Sequence, residues 1–442
     1  MTKDNKFLGI TVAPDLSRKN FIGVFLNSAL LLLAYMIPTI ALPRFLKETI
    51  GIGDANFGTI NSAIQIIGSV TVVIFVGFVG SLSDRYGRKI LLFYGMLAST
   101  AAFLIYSLPL SASAFTGLPA IYFVFLFHFI LAISMTFAFP QPMIITADYT
   151  DFKSRGKAMA ISASMMGIGV TFSFFIFSAV QKIYGVYSLF LAGAGICLLS
   201  LFVTKFMVID RKLPHHEGRG SERQSTLQSL KEVFAELKIN KGLRFCIVST
   251  FPASSDRIIL GIFIMIWAVE SAPDFGYTRA QATAMGGIVV GLSSICALAF
   301  TPVMGILVDR IGRRPILVSG LALKGLGFLL LGLTSNPFSV AVKLCGIVTG
   351  LGVAAVSVSS STLTADLAPK KILGSVMTTA SIAGSLGTLF FVQCGGIIFD
   401  RISHSSPFIL VGIADLLALI YGLIVWTHVP KINRHAEYKE RT

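Results

Sequence analysis

Residues 80–89 read Gly80-Ser81-Leu82-Ser83-Asp84-Arg85-Tyr86-Gly87-Arg88-Lys89, and residues 305–314 read Gly305-Ile306-Leu307-Val308-Asp309-Arg310-Ile311-Gly312-Arg313-Arg314. Each stretch follows a long apolar run and precedes another. A second pair lies further along in each case: Thr146-Ala147-Asp148 with Gly156 after it, and Thr364-Ala365-Asp366 with Gly374 after it. Two different loop sequences that recur in the same order mark a duplicated unit, so the chain is read as two copies of one helical module.

Working outward, the apolar runs decide what solvent the module meets. With 54% hydrophobic and only 13% charged residues, the 442-residue chain lies outside the range of soluble domains. A bilayer core about 30 Å thick needs roughly 20 apolar residues of helix to cross it. Such runs fall at 21–42, 57–82, 90–110, 121–147, 158–183 and 187–208, then at 243–269, 280–308, 316–333, 338–365, 372–399 and 407–429. We number them spans 1 to 12. They are continuous rather than alternating, which excludes a membrane β-barrel. The first run is too long for the apolar core of a signal peptide and lacks a small-residue exit, so it stays in the mature protein. The fold class expected is therefore an all-α membrane protein of twelve transmembrane helices in two pseudo-symmetric six-helix bundles.

A net charge of +15 raises the question of a nucleic-acid partner. The distribution answers it. If the N-terminus is cytoplasmic, every Lys and Arg falls on the cytoplasmic side except Arg44, Lys47, Lys182, Arg279, Lys343 and Arg401, and Arg257 and Lys324, which lie deep in spans. This is the positive-inside pattern, with both termini cytoplasmic. The basic stretch between spans 6 and 7 divides the chain into residues 1–208, a linker 209–242 and residues 243–442. Leu230, Val233, Phe234 and Leu237 recur there at helical spacing, which predicts an amphipathic helix on the inner membrane surface. His215 and His216 in the same linker are read as solvated. The five cysteines all lie in apolar runs without a C-x-x-C pair, and we read them as packing residues. No metal site, no cofactor and no nucleotide-binding G-x-x-x-x-G-K-[ST] loop is expected.

The doubled G-x-L-x-D-R-x-G-R-[RK] loop resembles the signature loop of the major facilitator superfamily, and the twelve spans and the second Asp/Gly pair agree with it. The resemblance covers nearly the whole chain. It implies a secondary transporter with a central cavity lined by spans 1, 4, 7 and 10, working as a monomer. It also implies a gating role at the cytoplasmic ends for Gly80, Asp84, Arg85, Gly87, Arg88, Asp148 and Arg155, and for Gly305, Asp309, Arg310, Gly312, Arg313 and Asp366. Glycine permits the tight turn, while Asp84 and Asp309 are expected to accept hydrogen bonds from arginines or helix N-termini and so to latch the halves. Subfamily signatures are missing. The stretch after span 6, Asp210-Arg211-Lys212-Leu213-Pro214-His215-His216, is unlike that of sugar porters. Span 5 lacks the proline and paired glycines of drug/proton antiporters, and His128 stands where those proteins carry an arginine.

Ionisable groups at mid-bilayer are costly, by about 2.5 to 3.5 kcal/mol on insertion scales, so each needs a partner or a water-filled cavity. Asp256 and Arg257 on span 7 follow Pro252, Ser254 and Ser255, where a break in the helix is expected. Side by side they point about 100° apart, and one or both are expected to reach the cavity, Asp256 as a proton carrier and Arg257 either to bind an anionic group or to set the proton balance of Asp256. His128 is a further proton or substrate candidate. Lys324 on span 9 and Asp415 on span 12 lie at matching depths and are expected to pair structurally. Asn27, Tyr35, Gln65 and Gln393 are candidates to line the substrate cavity. The function expected is proton-coupled movement of a small organic solute across the bilayer, in the plasma membrane, which is the inner membrane if the source is bacterial. Proton-driven efflux of amphipathic compounds and a non-transporting receptor on the same fold are the alternatives; an enzyme is not expected.

Overall fold

The computed structural model describes residues 6–13, 15–151, 154–211, 226–369 and 372–428, with the backbone alone at 76, 77, 84 and 226–231. Among them are twelve helical stretches long and apolar enough to cross a membrane. They are Arg18–Ile50, Asp54–Phe75, Arg88–Ile105, Ala120–Asp148, Arg155–Tyr184 and Tyr187–Met207, then Lys241–Ser271, Arg279–Ile311, Arg313–Gly332, Val340–Leu367, Leu373–Arg401 and Ser406–Ile424. These are spans 1 to 12, and the protein is a multi-pass integral membrane protein. The second of them continues as one helix to Tyr86.

Three spans break beside prolines, while Pro302 lies within the continuous helix Arg279–Ile311 of span 8. Span 1 passes from an α-helix ending at Tyr35 to a second starting at Ile37, with Pro38 in its first turn. Span 4 is interrupted at Phe139–Pro140. Span 7 is two helices, Lys241–Ala253 and Asp256–Ser271, with Pro252 at the junction. A proline has no N–H to donate and its ring crowds the preceding turn, so backbone carbonyls there need other donors. Ser255 closes the break: its backbone N–H and its hydroxyl both donate to the Pro252 carbonyl, at 3.0 and 2.6 Å.

The chain forms two compact units, Met1–Ile52 with Ala63–Glu217 and Thr278–Ala284, and Gly53–Ser62 with Gly218–Tyr277 and Met285–Thr442. Within the first, span 1 packs on spans 5 and 6, and span 3 on spans 4 and 6. Within the second, span 7 packs on spans 11 and 12, and span 9 on spans 10 and 12. The internal pairing is the same, as a duplicated module requires. Close approach is bought with small residues: a Cβ on Gly169 would strike the Ala29 carbonyl of span 1, and one on Gly387 the Phe251 carbonyl of span 7. The Gly384/Gly387 face thus packs inside its own unit against span 7.

The turn between spans 2 and 3 is the single residue Gly87, with φ 104° and ψ 146°, and that between spans 8 and 9 is Gly312, with φ 107° and ψ 156°. This region of backbone space is open to glycine alone. One residue here lets an antiparallel helix pair form with almost no loop, which is why both motif copies carry glycine at that place.

The linker helix runs Thr226–Ile239. Val233 is fully buried among Leu243, Ala368, Ile372 and Val376, so this helix seats its apolar face on the second unit rather than lying only on the membrane surface. Phe234 and Ile239 remain exposed. His215 and His216 lie outside the described residues. At the other end of the chain, Lys6–Phe7 and Ile10–Thr11 pair as a short antiparallel ribbon that no sequence pattern announced.

Candidate functional site

Three charged side chains meet in the second unit at mid-length of three spans. The Lys324 ammonium of span 9 contacts Asp256 of span 7 and lies 2.7 Å from Asp415 Oδ1 of span 12. Their exposures are 0%, 1% and 0% respectively. Glycines permit the convergence: a Cβ on Gly352 of span 10 would overlap the Lys324 backbone nitrogen, and one on Gly325 would press on Asp415 Cβ. The expected Lys324–Asp415 pair is thus a triad, and Asp256 faces into the bundle rather than toward a cavity. The break in span 7 explains this orientation, because Asp256 opens the second half-helix and turns inward with the buried face of that segment.

The charge count of this triad is uneven. Two carboxylates share one ammonium, so with all three ionised the cluster carries one excess negative charge. Asp256 Oδ1 and Asp415 Oδ2 receive no hydrogen bond from a described residue. A buried charge without compensation costs several kcal/mol, and one proton on either acid removes it. The arrangement is therefore chemically suited to hold and release a proton. It contains no nucleophile and base in reach of each other.

Arg257, next in sequence, behaves differently. It is exposed, and it makes no hydrogen bond or ion-pair contact with a described residue. Val248, Ser254 and Ile258 are also exposed on span 7, whereas every residue from Ile259 to Val269 is buried. The exposed residues of the span therefore lie in its first half and end at Ile258.

The polar candidates of the first unit are mostly helix-to-helix bonds. Asn27 is fully buried; its amide donates to Thr204 Oγ1 at 3.1 Å and its carbonyl accepts from Ser200 at 2.7 Å, joining span 1 to span 6. His128 is 6% exposed, with its Nδ1 3.1 Å from the Tyr106 hydroxyl of the span 3 end. It sits inside the unit rather than at the cavity-lining position expected, because span 4 turns that face onto span 3. Tyr35 is half-buried with its ring 5.4 Å from that of Phe139. Gln65 accepts a long 3.5 Å bond from Thr39, while its amide nitrogen has no hydrogen-bond partner among the described residues. Gln393 is half-buried.

At the motif end of each unit the arginine after the glycine finds an acid. Arg88 pairs with Asp148, and Arg313 pairs with Asp366. The reason is positional: Arg88 starts span 3 and Asp148 ends span 4, which are neighbours, and spans 9 and 10 repeat the relation. The expectation that Asp309 would accept such bonds is corrected. Asp309 is exposed without a hydrogen bond to a described residue, as are Arg310 and Arg155, and Arg85 lies over the Tyr86 ring. The Asp84 side chain lies outside the described residues. Gly80 and Gly305 have open space where a Cβ would stand.

The next motif residue also has a matching role. Lys89 donates to the Lys205 carbonyl at the end of span 6, and Arg314 to the Trp426 carbonyl after span 12. Two acids escaped the sequence reading. Asp210 accepts from the Lys89 backbone N–H at 2.8 Å and fills the space beside Gly87. Asp400 accepts from the N–H groups of Gly58 and Thr59 at 2.7 and 2.8 Å and from the Thr59 hydroxyl at 2.6 Å. Its signal was available: an acid in the last turn of a helix opposes the macrodipole and needs a donor elsewhere. Among the described residues no group of three His, Cys, Asp or Glu could hold a metal ion, and the five cysteines are free thiols.

Twelve spans, a doubled glycine turn closed by an Arg–Asp pair, and a buried charge cluster define the class of polytopic membrane carriers. The chain belongs to the Major Facilitator Superfamily, whose family model matches residues 24–284 and 246–442. It is 28% identical over 402 residues to the magnetosome protein MamH of Paramagnetospirillum magneticum, covering 91% of each chain. It is also 28% identical to the magnetosome protein MamZ of Magnetospirillum gryphiswaldense over 86% of this chain, which spans only 58% of that longer protein. The crystal structure of a mutant nucleoside transporter, NupG, shares the fold with a TM-score of 0.72 at 14% identity, covering 91% of this chain and 99% of the other.

Proposed function

We propose that the protein is a secondary active transporter that moves a small organic solute by alternating access and couples this to protons. The two repeats, residues 1–208 and 243–442, act as the moving bodies, joined by the linker 209–242, with both termini in the cytoplasm. The observation that carries the coupling is the triad of Asp256, Lys324 and Asp415: three fully buried charges, two negative and one positive. A proton that enters neutralises it and one that leaves restores the charge, so its protonation biases whichever conformations differ in its exposure. No additional cofactor is needed.

The test is counterflow in proteoliposomes with a compound selected by thermal shift on the purified protein. Accumulation that follows an imposed pH gradient, and loses that dependence in Asp256→Asn, supports the proposal. A mutant that keeps the wild-type proton dependence eliminates Asp256 as the coupling group, and absence of counterflow for every stabilising compound favours a receptor.

The likeness to MamH and MamZ supports a second element, that the carrier serves the magnetosome. In a host that makes these bodies, a fluorescent fusion confined to them supports it, and uniform labelling of the cell envelope removes it.

A further inference from the structure

Arg257 is left over from the triad, and its surroundings say what it is for. It stands about halfway along the 31-residue span 7, hence near the bilayer middle. A guanidinium there is not stable against hydrocarbon, and exposed charges at that depth face water-filled space. The surface of span 7 is uncovered there. Val248, Ser254 and Ile258 are exposed along it, and the face closes at Ile259. Arg257 therefore lies near the end of the exposed part of span 7, bonded to no described residue.

We propose that Arg257 is the anchor for an anionic group, a carboxylate or phosphate, on the transported solute, and that the neighbouring triad makes anion binding depend on a proton. The proposal rests on the carrier reading above and adds the substrate class. The guanidinium presents planar, paired N–H donors that match such oxyanions in bidentate geometry. The linkage follows from counting charges. Arg257 with the ionised triad sums to zero, so an arriving anion meets no net attraction. When the triad holds a proton the cluster is positive by one, and an anion then restores neutrality. One anionic charge and one proton would travel together.

Cys246 of span 7 and Glu232, Glu236 and Lys238 of the linker helix that packs on it all lie toward the Lys241 end. Spans 10 and 11, which also pack on span 7, carry their charged residues Lys343, Asp366, Asp400 and Arg401 at their ends. On span 7 itself Lys241, Arg244 and Glu270 are likewise terminal. Cys345 and Cys394 are the thiols of spans 10 and 11, and Tyr421 of span 12 lies toward its end.

The experiment needs no knowledge of the solute. Ser254→Cys and, as a second reporter, Val248→Cys are reacted with an anionic and a cationic methanethiosulfonate reagent, and modification at each position is followed by peptide mass spectrometry against the parent chain. The ratio of the two rates cancels thiol ionisation and reads the local potential. At position 254, once lowered pH has put a proton on the triad, the anionic reagent is expected to win, by about tenfold for the resulting unit of net positive charge some 6 Å away in water. Arg257→Gln should abolish that preference and Arg257→Lys should keep it. Lowering the pH should raise the ratio in the parent and leave it flat in Asp256→Asn. Failure of both reporters to react shows a lipid-facing surface and overturns the proposal, as does a ratio indifferent to Arg257→Gln. A pH-independent ratio overturns the proton linkage. Labelling is independent of turnover, so a protein that labels as expected but shows no counterflow loses the carrier reading and keeps the anion site.

Discussion

Lys324 and Asp415, on spans 9 and 12, face each other at 2.7 Å with neither side chain reaching solvent, and the same ammonium also holds Asp256. A single cation thus stands between two acids that would otherwise repel.

Removing the cation should cost more than removing the whole cluster. Lys324→Met strands two buried carboxylates, for which a loss of about 3 to 5 kcal/mol is typical. The combined variant with Asp256→Asn and Asp415→Asn has no stranded charge and should recover most of that loss. Melting of the purified proteins in detergent checks the order, and a combined variant no more stable than Lys324→Met would contradict the charge count.

The two glycine turns should differ in tolerance. Gly87→Ala and Gly312→Ala both force alanine into a backbone region costing on the order of 1 to 3 kcal/mol. At Gly87 the new Cβ also collides with the Asp210 carboxylate, whereas at Gly312 its nearest neighbour is Pro315 Cδ at 3.7 Å. Gly87→Ala is expected to melt lower and to yield less folded protein. Pairing it with Asp210→Ala should narrow the gap.

The two Arg–Asp pairs are unequal as well. Arg313 is 5% exposed and Arg88 24%. Neutralising the acid leaves the more buried arginine worse off, since solvent compensates the other. Asp366→Asn is therefore expected to destabilise more than Asp148→Asn, read as the difference in melting temperature under one set of conditions.

Asp400 gathers three donors from Gly58 and Thr59. Asp400→Ala should cost about 1 to 2 kcal/mol, as for loss of a good helix cap. Hydrogen exchange at Gly58 and Thr59 should rise in that variant, while amides of the linker helix Thr226–Ile239 stay as they were.

The spans and the duplicated turns were legible because their causes are local. A run of apolar residues must cross the bilayer as helix whatever surrounds it, and a one-residue turn with φ above 100° admits glycine alone. The partners of the charged groups were less legible. Asp309 was expected to accept bonds from arginines or helix N-termini, and it bonds to no described residue. Asp148 and Asp366 take the arginine bonds because adjacent helices end at the same level. His128 matched a functional position by alignment, yet its side chain is spent on Tyr106. Asn27 likewise joins two helices.

What the sequence by itself determined is the number of membrane crossings, the doubling of the module, the break at Pro252 and the presence of Asp256, Arg257, Lys324 and Asp415 at mid-membrane depth. All follow from residue type and spacing along one helix. Only the tertiary structure decided that Asp256 joins Lys324 and Asp415 while Arg257 stays open, because which way a side chain faces depends on helix rotation, and rotation is set by glycine-permitted contacts with helices distant in the chain.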